Sequence, residues 1–311
     1  MKAIILNGFG SVEHLLVKEL DTPAILENEV LVEVKAIGIN PVDVTTRAWN
    51  WLSPQLKDED PIILGWDISG IVRESKSSLF KNGDHVFGMI NFPGHGKAYA
   101  EYVAAPANQL SLKPANISFE EAAAGTLAAL TAYQCLNTHY RVIPGQRILI
   151  HAASGGVGHY AIQLAKLAGA YVIGTSSEAN KDFVLSLGAD EHIDYHKVRF
   201  ENVLTNIDFV FETIGGKQID SSLDVIKKGG TLISISSGIP LAAASKAKVK
   251  SIHAFSTLVQ SNGYDMQQLA KLFSNGLIRS HITKTFPFEE MKMAHLELEK
   301  GRTQGKIVVT I

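Results

Sequence analysis

The segment HAASGGVGHYAIQLAKLAGAYVIGTS, residues 151–176, changes its hydrophobic period twice within a short span. It continues the apolar run RILI (147–150), breaks at a glycine-rich turn, and resumes with apolar residues at helical spacing from about Gly156 to Ala168. It ends in the apolar run YVIGT (171–175). A strand, a tight turn, a helix and a second strand are the unit from which a parallel sheet is built. The turn reads Ala152-x-x-Gly155-x-x-Gly158, which is also a G-x-G-x-x-G pattern with Ala153 at the first glycine. Gly155 lets the backbone approach a pyrophosphate and Gly158 lets the helix pack on the strand. Ser154, Gly156 and Val157 complete the rim at the helix N-terminus, where unpaired N–H groups favour phosphate. Such a turn can also occur in an α/β domain that binds nothing. The strand before it, the helix after it and a second strand ending where a ribose is read favour a dinucleotide.

The identity of the dinucleotide turns on the end of that second strand, where an Asp or Glu would accept from a 2′-hydroxyl and repel a 2′-phosphate. The chain has GTSSEANK (174–181) there. Thr175, Ser176 and Ser177 supply uncharged hydroxyls, and Lys181 follows one helical turn later as a phosphate partner. NADPH is therefore expected, with Glu178 as the dissenting residue, readable as a first-turn helix carboxylate.

Outward from this unit, strands and helices alternate through DFVFET, TLISISS and KSIHAFS, with strands that are nearly all apolar. That pattern predicts a doubly wound parallel sheet, a Rossmann domain in an α/β protein. Ile214, Gly215, Gly216 and Ser236, at the ends of such strands, should pass near the cofactor, with Phe255 beside the nicotinamide. Residues 1–118 instead show short, regularly spaced strands bounded by Gly, Pro, Asn or Asp, which predict a small barrel-like domain. Ser118 and Glu121 open an alanine-rich helix. The segment LAAASKAKVK (241–250) reads as an exposed connector, and the terminal strand KIVVTI (306–311) as a return to the first domain. Expected boundaries are 1–119, 120–277 and 278–311.

The chain of 311 residues carries 29 basic and 31 acidic side chains, so no excess of positive charge suits nucleic acid or anionic lipid. Its length predicts two domains, and 46% hydrophobic content is ample for their cores. The single cysteine, Cys135, excludes an internal disulfide framework and a multi-thiolate site, and is read as a packed side chain. The N-terminal apolar run is too short for a signal peptide and no stretch is long enough to span a bilayer, so a soluble cytoplasmic protein is expected.

In order along the chain stand GINPVD (38–43), LGWDISGIV (64–72), GKAYAEYV (96–103), LTAYQCL (130–136), AASGGVG (152–158), LGADEHIDY (187–195), DFVFETIGG (208–216) and GRTQGKIVV (301–309). With them the chain resembles the medium-chain dehydrogenase/reductase superfamily over its whole length, and most closely its zinc-free, NADPH-dependent quinone oxidoreductase branch. The resemblance implies a GroES-like, partly open barrel domain interrupted by a Rossmann domain, an active site in the cleft between them, and a homodimer. Zinc-bearing alcohol dehydrogenases of the superfamily place Cys, His and Cys where this chain has Asn40, Trp66 and a position near Leu127, so no metal is expected.

The resemblance also implies site residues. Asn40 and Asp43 occupy the N-x-x-D positions and are expected to orient substrate or its water, although either can instead cap the helix that Pro41 begins. Thr45 stands where many quinone reductases carry a tyrosine or lysine; it donates a hydrogen bond but is a poor acid. Thr131 matches a residue near the nicotinamide, and Tyr195 one near the adenosine phosphate. Trp49 and Trp51 are candidates for an aromatic wall. The chemistry expected is hydride transfer from NADPH to a quinone or an α,β-unsaturated carbonyl, with a small-molecule acceptor as the partner. A metal-independent alcohol dehydrogenase and a non-catalytic NADPH-binding sensor are the alternatives.

Overall fold

The computed structural model describes residues 1–49, 56 and 59–311. The chain divides into two compact units, Met1–Leu130 with Val259–Ile311 and Thr131–Leu258.

The first unit opens with β1 (Lys2–Leu6) paired antiparallel to β2 (Leu15–Glu19). Its main sheet grows from β3 (Glu29–Ile39), followed by β4 (Asp67–Ser75), β5 (His85–Met89), β6 (Tyr102–Pro106) and the short β7 (Ser111–Leu112). β3 is the central strand: β4 covers one edge, and β6 takes the N-terminal half of the other. Both faces of β3 are largely buried, which is why EVLVEVKAIGI is mostly apolar where a half-exposed strand would alternate.

The second unit is a parallel six-stranded sheet, β8 (Arg147–Ile150), β9 (Tyr171–Ser176), β10 (Glu191–Asp194), β11 (Ile207–Glu212), β12 (Ile226–Ser234) and β13 (His253–Ser256). The spatial order is β10-β9-β8-β11-β12-β13. This doubly wound order reverses direction between β8 and β11, and the crevice at their carboxyl ends is where such sheets bind ligands. One core cluster under the sheet gathers Leu149, Ile173, Val210, Leu223 and Leu232.

The chain then returns to the first unit through β14 (Ile282–Pro287) and β15 (Lys306–Thr310). β15 pairs antiparallel with the C-terminal half of β3 and parallel with β14. The sheet path β14-β15-β3-β4-β5-β7 stays open, and no pair closes it into a barrel among the described residues.

Three segments settle differently from the sequence reading. Residues 120–130 and 259–277 lie with the first unit. Ser69 Oγ donates to Phe119 O, Ser280 Oγ to Glu121 O, and Asn116 Nδ2 to Phe273 O. The run 241–250, read as a connector, is the helix Leu241–Lys250. Alanine and lysine are strong helix formers. Ala243 and Ala247, four apart, are buried against the core of the second unit, while Lys246 and Lys250 pair with Asp220 and Asp224.

Candidate active site

Two groups of polar side chains stand out, one in each unit. In the second unit the turn after β8 leads into the helix Gly158–Leu167, whose N-cap Val157 makes no side-chain cap. Gly158 is required there because a Cβ would lie 2.3 Å from Ala152 O and 2.8 Å from Ala153 Cα. At Gly155 a Cβ would meet Ala152 O at 3.2 Å, and residues 155–157 are half-exposed. Gly216 and Gly238, in the loops after β11 and β12, would each have open space where a Cβ is added. An uncapped helix start, a close glycine turn and open glycine loops at one sheet edge suit an extended phosphate-bearing ligand, so the residues fit a dinucleotide.

Beneath this rim lies a network around the buried Glu212 and His151, neither of which the sequence reading singled out. Glu212 ends β11; its Oε1 accepts from the N–H groups of Ile214 and Gly215 at 2.8 and 3.0 Å, which holds the loop 213–216. Gly215 has φ +83°, and a Cβ there would strike Ser236 Oγ and Ser237 Oγ. His151, following β8, has Nδ1 3.1 Å from Thr175 Oγ1 and 3.3 Å from the donor Nε2 of Gln218. That assigns the proton to Nε2, which donates to Ser222 Oγ at 3.0 Å. Ser222 in turn donates to Glu212 Oε2 at 3.0 Å. Burial pulls the His151 pKa down, keeping the ring neutral.

The ribose-reading end divides into buried and exposed groups. Thr175 and Ser176 are buried: Thr175 pairs with His151, and Ser176 Oγ lies 2.8 Å from His192 Nε2. Asn180 Nδ2 donates to Ser154 Oγ at 3.0 Å, tying the glycine turn to the turn after β9. Lys181, Tyr195, Ile214, Ser236 and Phe255 are exposed, and Ser177 is half-buried.

In the first unit, Asn40 and Asp43 come together at the start of the helix Pro41–Trp49. Asp43 Oδ2 accepts from the Asn40 N–H at 2.7 Å, the return half of a capping box. The Asn40 side chain is buried: Nδ2 donates to Asp67 Oδ2 at 2.8 Å, and Oδ1 accepts from Lys306 Nζ. Lysine only donates and a carboxylate only accepts, so this pairing sets the amide's orientation. Lys306 Nζ also donates to Ile39 O and lies 3.7 Å from Asp67 Oδ2, while Asp67 Oδ1 accepts from the Leu127 N–H. Burial pushes the Asp67 carboxyl up and pulls the Lys306 ammonium down, and each charge restrains the shift of the other. Burial also raises Asp43, to about 8, and its Oδ1 has no hydrogen-bond partner among the described residues.

Neither Asp67 nor Lys306 was picked out from the sequence, although both sit inside motifs quoted for the resemblance. Thr45 is exposed and donates to Val42 O at 3.2 Å; Thr131 is buried, in the second unit. Trp51 lies outside the described residues, as does the side chain of Trp49.

The donor set around Asn40 does not suit zinc. The Trp66 indole N–H donates to Gly94 O at 2.7 Å and offers no lone pair, Leu127 has no donor atom, and the Asn40 amide is occupied by Asp67 and Lys306. Among the described residues no group of three or more His, Cys, Asp or Glu is placed to hold a metal. No described helix is long and apolar enough to cross a membrane.

Comparison with known proteins yields two family models, "Alcohol dehydrogenase GroES-like domain" over residues 26–115 and "Zinc-binding dehydrogenase" over residues 187–309. A 2-methylene-furan-3-one reductase of Solanum lycopersicum is 33% identical, with 99% of this chain and 79% of that protein covered. The structure of the quinone oxidoreductase from Coxiella burnetii is similar at TM-score 0.94 and 38% identity, covering 100% of this chain and 99% of the other. The Escherichia coli quinone oxidoreductase complexed with NADPH is similar at TM-score 0.89 and 29% identity, covering 100% of both chains.

Proposed function

Since the chain belongs to the medium-chain dehydrogenase/reductase superfamily, in its quinone oxidoreductase-like branch, and is an NAD(P)H-dependent oxidoreductase, we propose that it uses NADPH to reduce a quinone or an α,β-unsaturated carbonyl, without zinc. The observation that carries this reading is the buried Asn40 amide, held by Asp67 and Lys306 at a position where the zinc-bearing relatives place a cysteine ligand. With no Lewis acid at those side chains to polarise an alcohol oxygen, an acceptor already activated toward hydride is favoured. When bound, the reduced nicotinamide supplies hydride to an electron-poor carbon.

The chain's own groups position and stabilise. Ser154 to Gly158 seat the pyrophosphate. The Glu212 carboxylate and neutral His151 hold the neighbouring loops in place, and Thr131 orients the nicotinamide. Ile214, Gly215, Ser236 and Phe255 border the cofactor. Asn40 and Asp43 act as positioning residues, since the Asn40 amide is spent on internal partners and Asp43 secures the helix that bears Thr45. The exposed Thr45 hydroxyl turns from Val42 O to donate its hydrogen bond to the acceptor oxygen. Lys181, Ser177 and Tyr195 receive the 2′-phosphate, which supports NADPH over NADH. Homodimerisation is proposed through β13, an edge strand whose His253, Phe255 and Ser256 are exposed. A cytoplasmic setting accords with the single, buried cysteine.

The test is an acceptor panel. NADPH oxidation with quinones and conjugated enones is the expected activity. Turnover of secondary alcohols with NADP and none of the panel would overturn it, and tight NADPH binding with no acceptor reduced would mark a sensor instead.

A further inference from the structure

The pairing of β10 with β9 sets Asp194 opposite Ser176. The turn after β10 therefore runs beside the turn after β9, and Lys197 reaches Glu178. Lys197 Nζ donates to Glu178 Oε2 at 3.0 Å and lies 3.8 Å from Asp194 Oδ2, while Lys181 Nζ lies 3.9 Å from Glu178 Oε1. The hydrogen bond from Lys197 holds the Glu178 carboxyl below its usual range, and the Lys197 ammonium is held up in return. Glu178 is 51% exposed, Lys181 49% and Lys197 65%. Two ammonium groups thus converge on one carboxylate at the strand end that reads the ribose.

Ion pairs this exposed are weak and exchange readily. A phosphate monoester carries more charge and more acceptor oxygens than a carboxylate, so it competes well for both lysines. Building on the NADPH reading above, we propose that Lys197 determines nucleotide choice: it neutralises Glu178 in the free protein and passes to the 2′-phosphate when NADPH binds. Glu178 is then a placeholder that keeps both lysines gathered at the strand end. Without Lys197, the Glu178 carboxylate faces the ribose less opposed, repels a 2′-phosphate and accepts from a 2′-hydroxyl. Removing the lysine should therefore shift preference, while general nucleotide binding persists.

The experiment measures dissociation constants of adenosine 2′,5′-bisphosphate and 5′-AMP by calorimetry, and of NADPH and NADH by fluorescence, for wild type, Lys197→Gln and Glu178→Gln. Lys197→Gln should weaken the bisphosphate and NADPH about tenfold, with 5′-AMP and NADH unweakened. Glu178→Gln should tighten the bisphosphate about threefold and leave 5′-AMP as it was. A wild type that prefers NADPH, with Lys197→Gln leaving the ratio of the paired ligands unchanged, would overturn the role of Lys197 alone. A wild type that prefers NADH would overturn the cofactor reading and this role with it.

Discussion

His295 illustrates how one buried side chain is held neutral. Its Nδ1 accepts from Arg47 Nε at 3.3 Å, so the proton sits on Nε2, 3.0 Å from the Tyr99 hydroxyl. Burial, helped by the Arg47 charge, pulls its pKa from 6.5 down to about 3. Below pH 6.5 the unfolded chain takes up a proton that the native chain refuses, so this contribution is present above that pH and fades as pH falls toward 3. Between pH 7.5 and 5.5 the loss from this one group is about 1.4 kcal/mol. Urea titrations should therefore show His295→Gln losing about that much less stability than wild type over the same interval; equal losses would contradict the neutral assignment. Individual roles of this kind were partly legible in the sequence. Asn40 and Asp43 were singled out because a motif marks them, and the capping reading anticipated the Asp43 contact. Asp67 and Lys306 were missed because their partner lies far along the chain, and only the pairing of β15 with β3 brings Lys306 to Asn40. Glu212 and His151 were missed because, at the ends of apolar strands, each looks like a boundary residue until the sheet order places them side by side.

Local signals served well where the determinant was local. The capping box forms as read: Glu121 N–H donates to Ser118 Oγ at 3.1 Å and Glu121 Oε2 accepts from the Ser118 N–H at 2.8 Å. The helix it starts, Phe119–Ala124, presents Ala123 and Ala124 to Ala36 and Val308. Ser118→Ala should cost about 1 kcal/mol of stability, read as a lowered urea midpoint with an unchanged slope. No change in midpoint would show that packing alone holds the helix. The alanine-rich run that follows does not continue as one helix: it breaks at Gly125, resumes at Leu127–Tyr133 and widens to a π-helix over Gln134–His139. Helix Leu241–Lys250 shows the opposite failure, since its low amphipathicity hid a helix that needs only two alanines against the core and two lysines on Asp220 and Asp224. Composition without period read as a connector, whereas propensity and ion pairing decided the outcome.

Across the whole molecule, the division into a mixed sheet and a doubly wound parallel sheet was legible because hydrophobic period changes between them, and apolar strands alternate with helices from Arg147 onward. A return of the last strand to the first domain was read from a strand resuming after a helix, and the structure adds that it pairs with β3. The place where the units divide was not, because the helices after residue 118 and after residue 262 carry ordinary amphipathic patterns that do not say which sheet they cover. We propose that this molecule transfers hydride without zinc, its Asn40 amide held by Asp67 and Lys306 where the zinc-bearing relatives place a cysteine ligand. The most direct measurement is the rate of NADPH-dependent quinone reduction by protein stripped with a strong chelator, assayed before and after zinc is added back, with metal content determined in parallel. An undiminished rate in the stripped protein, unaltered by zinc, is the predicted result; a rate abolished by stripping and restored by zinc would contradict it.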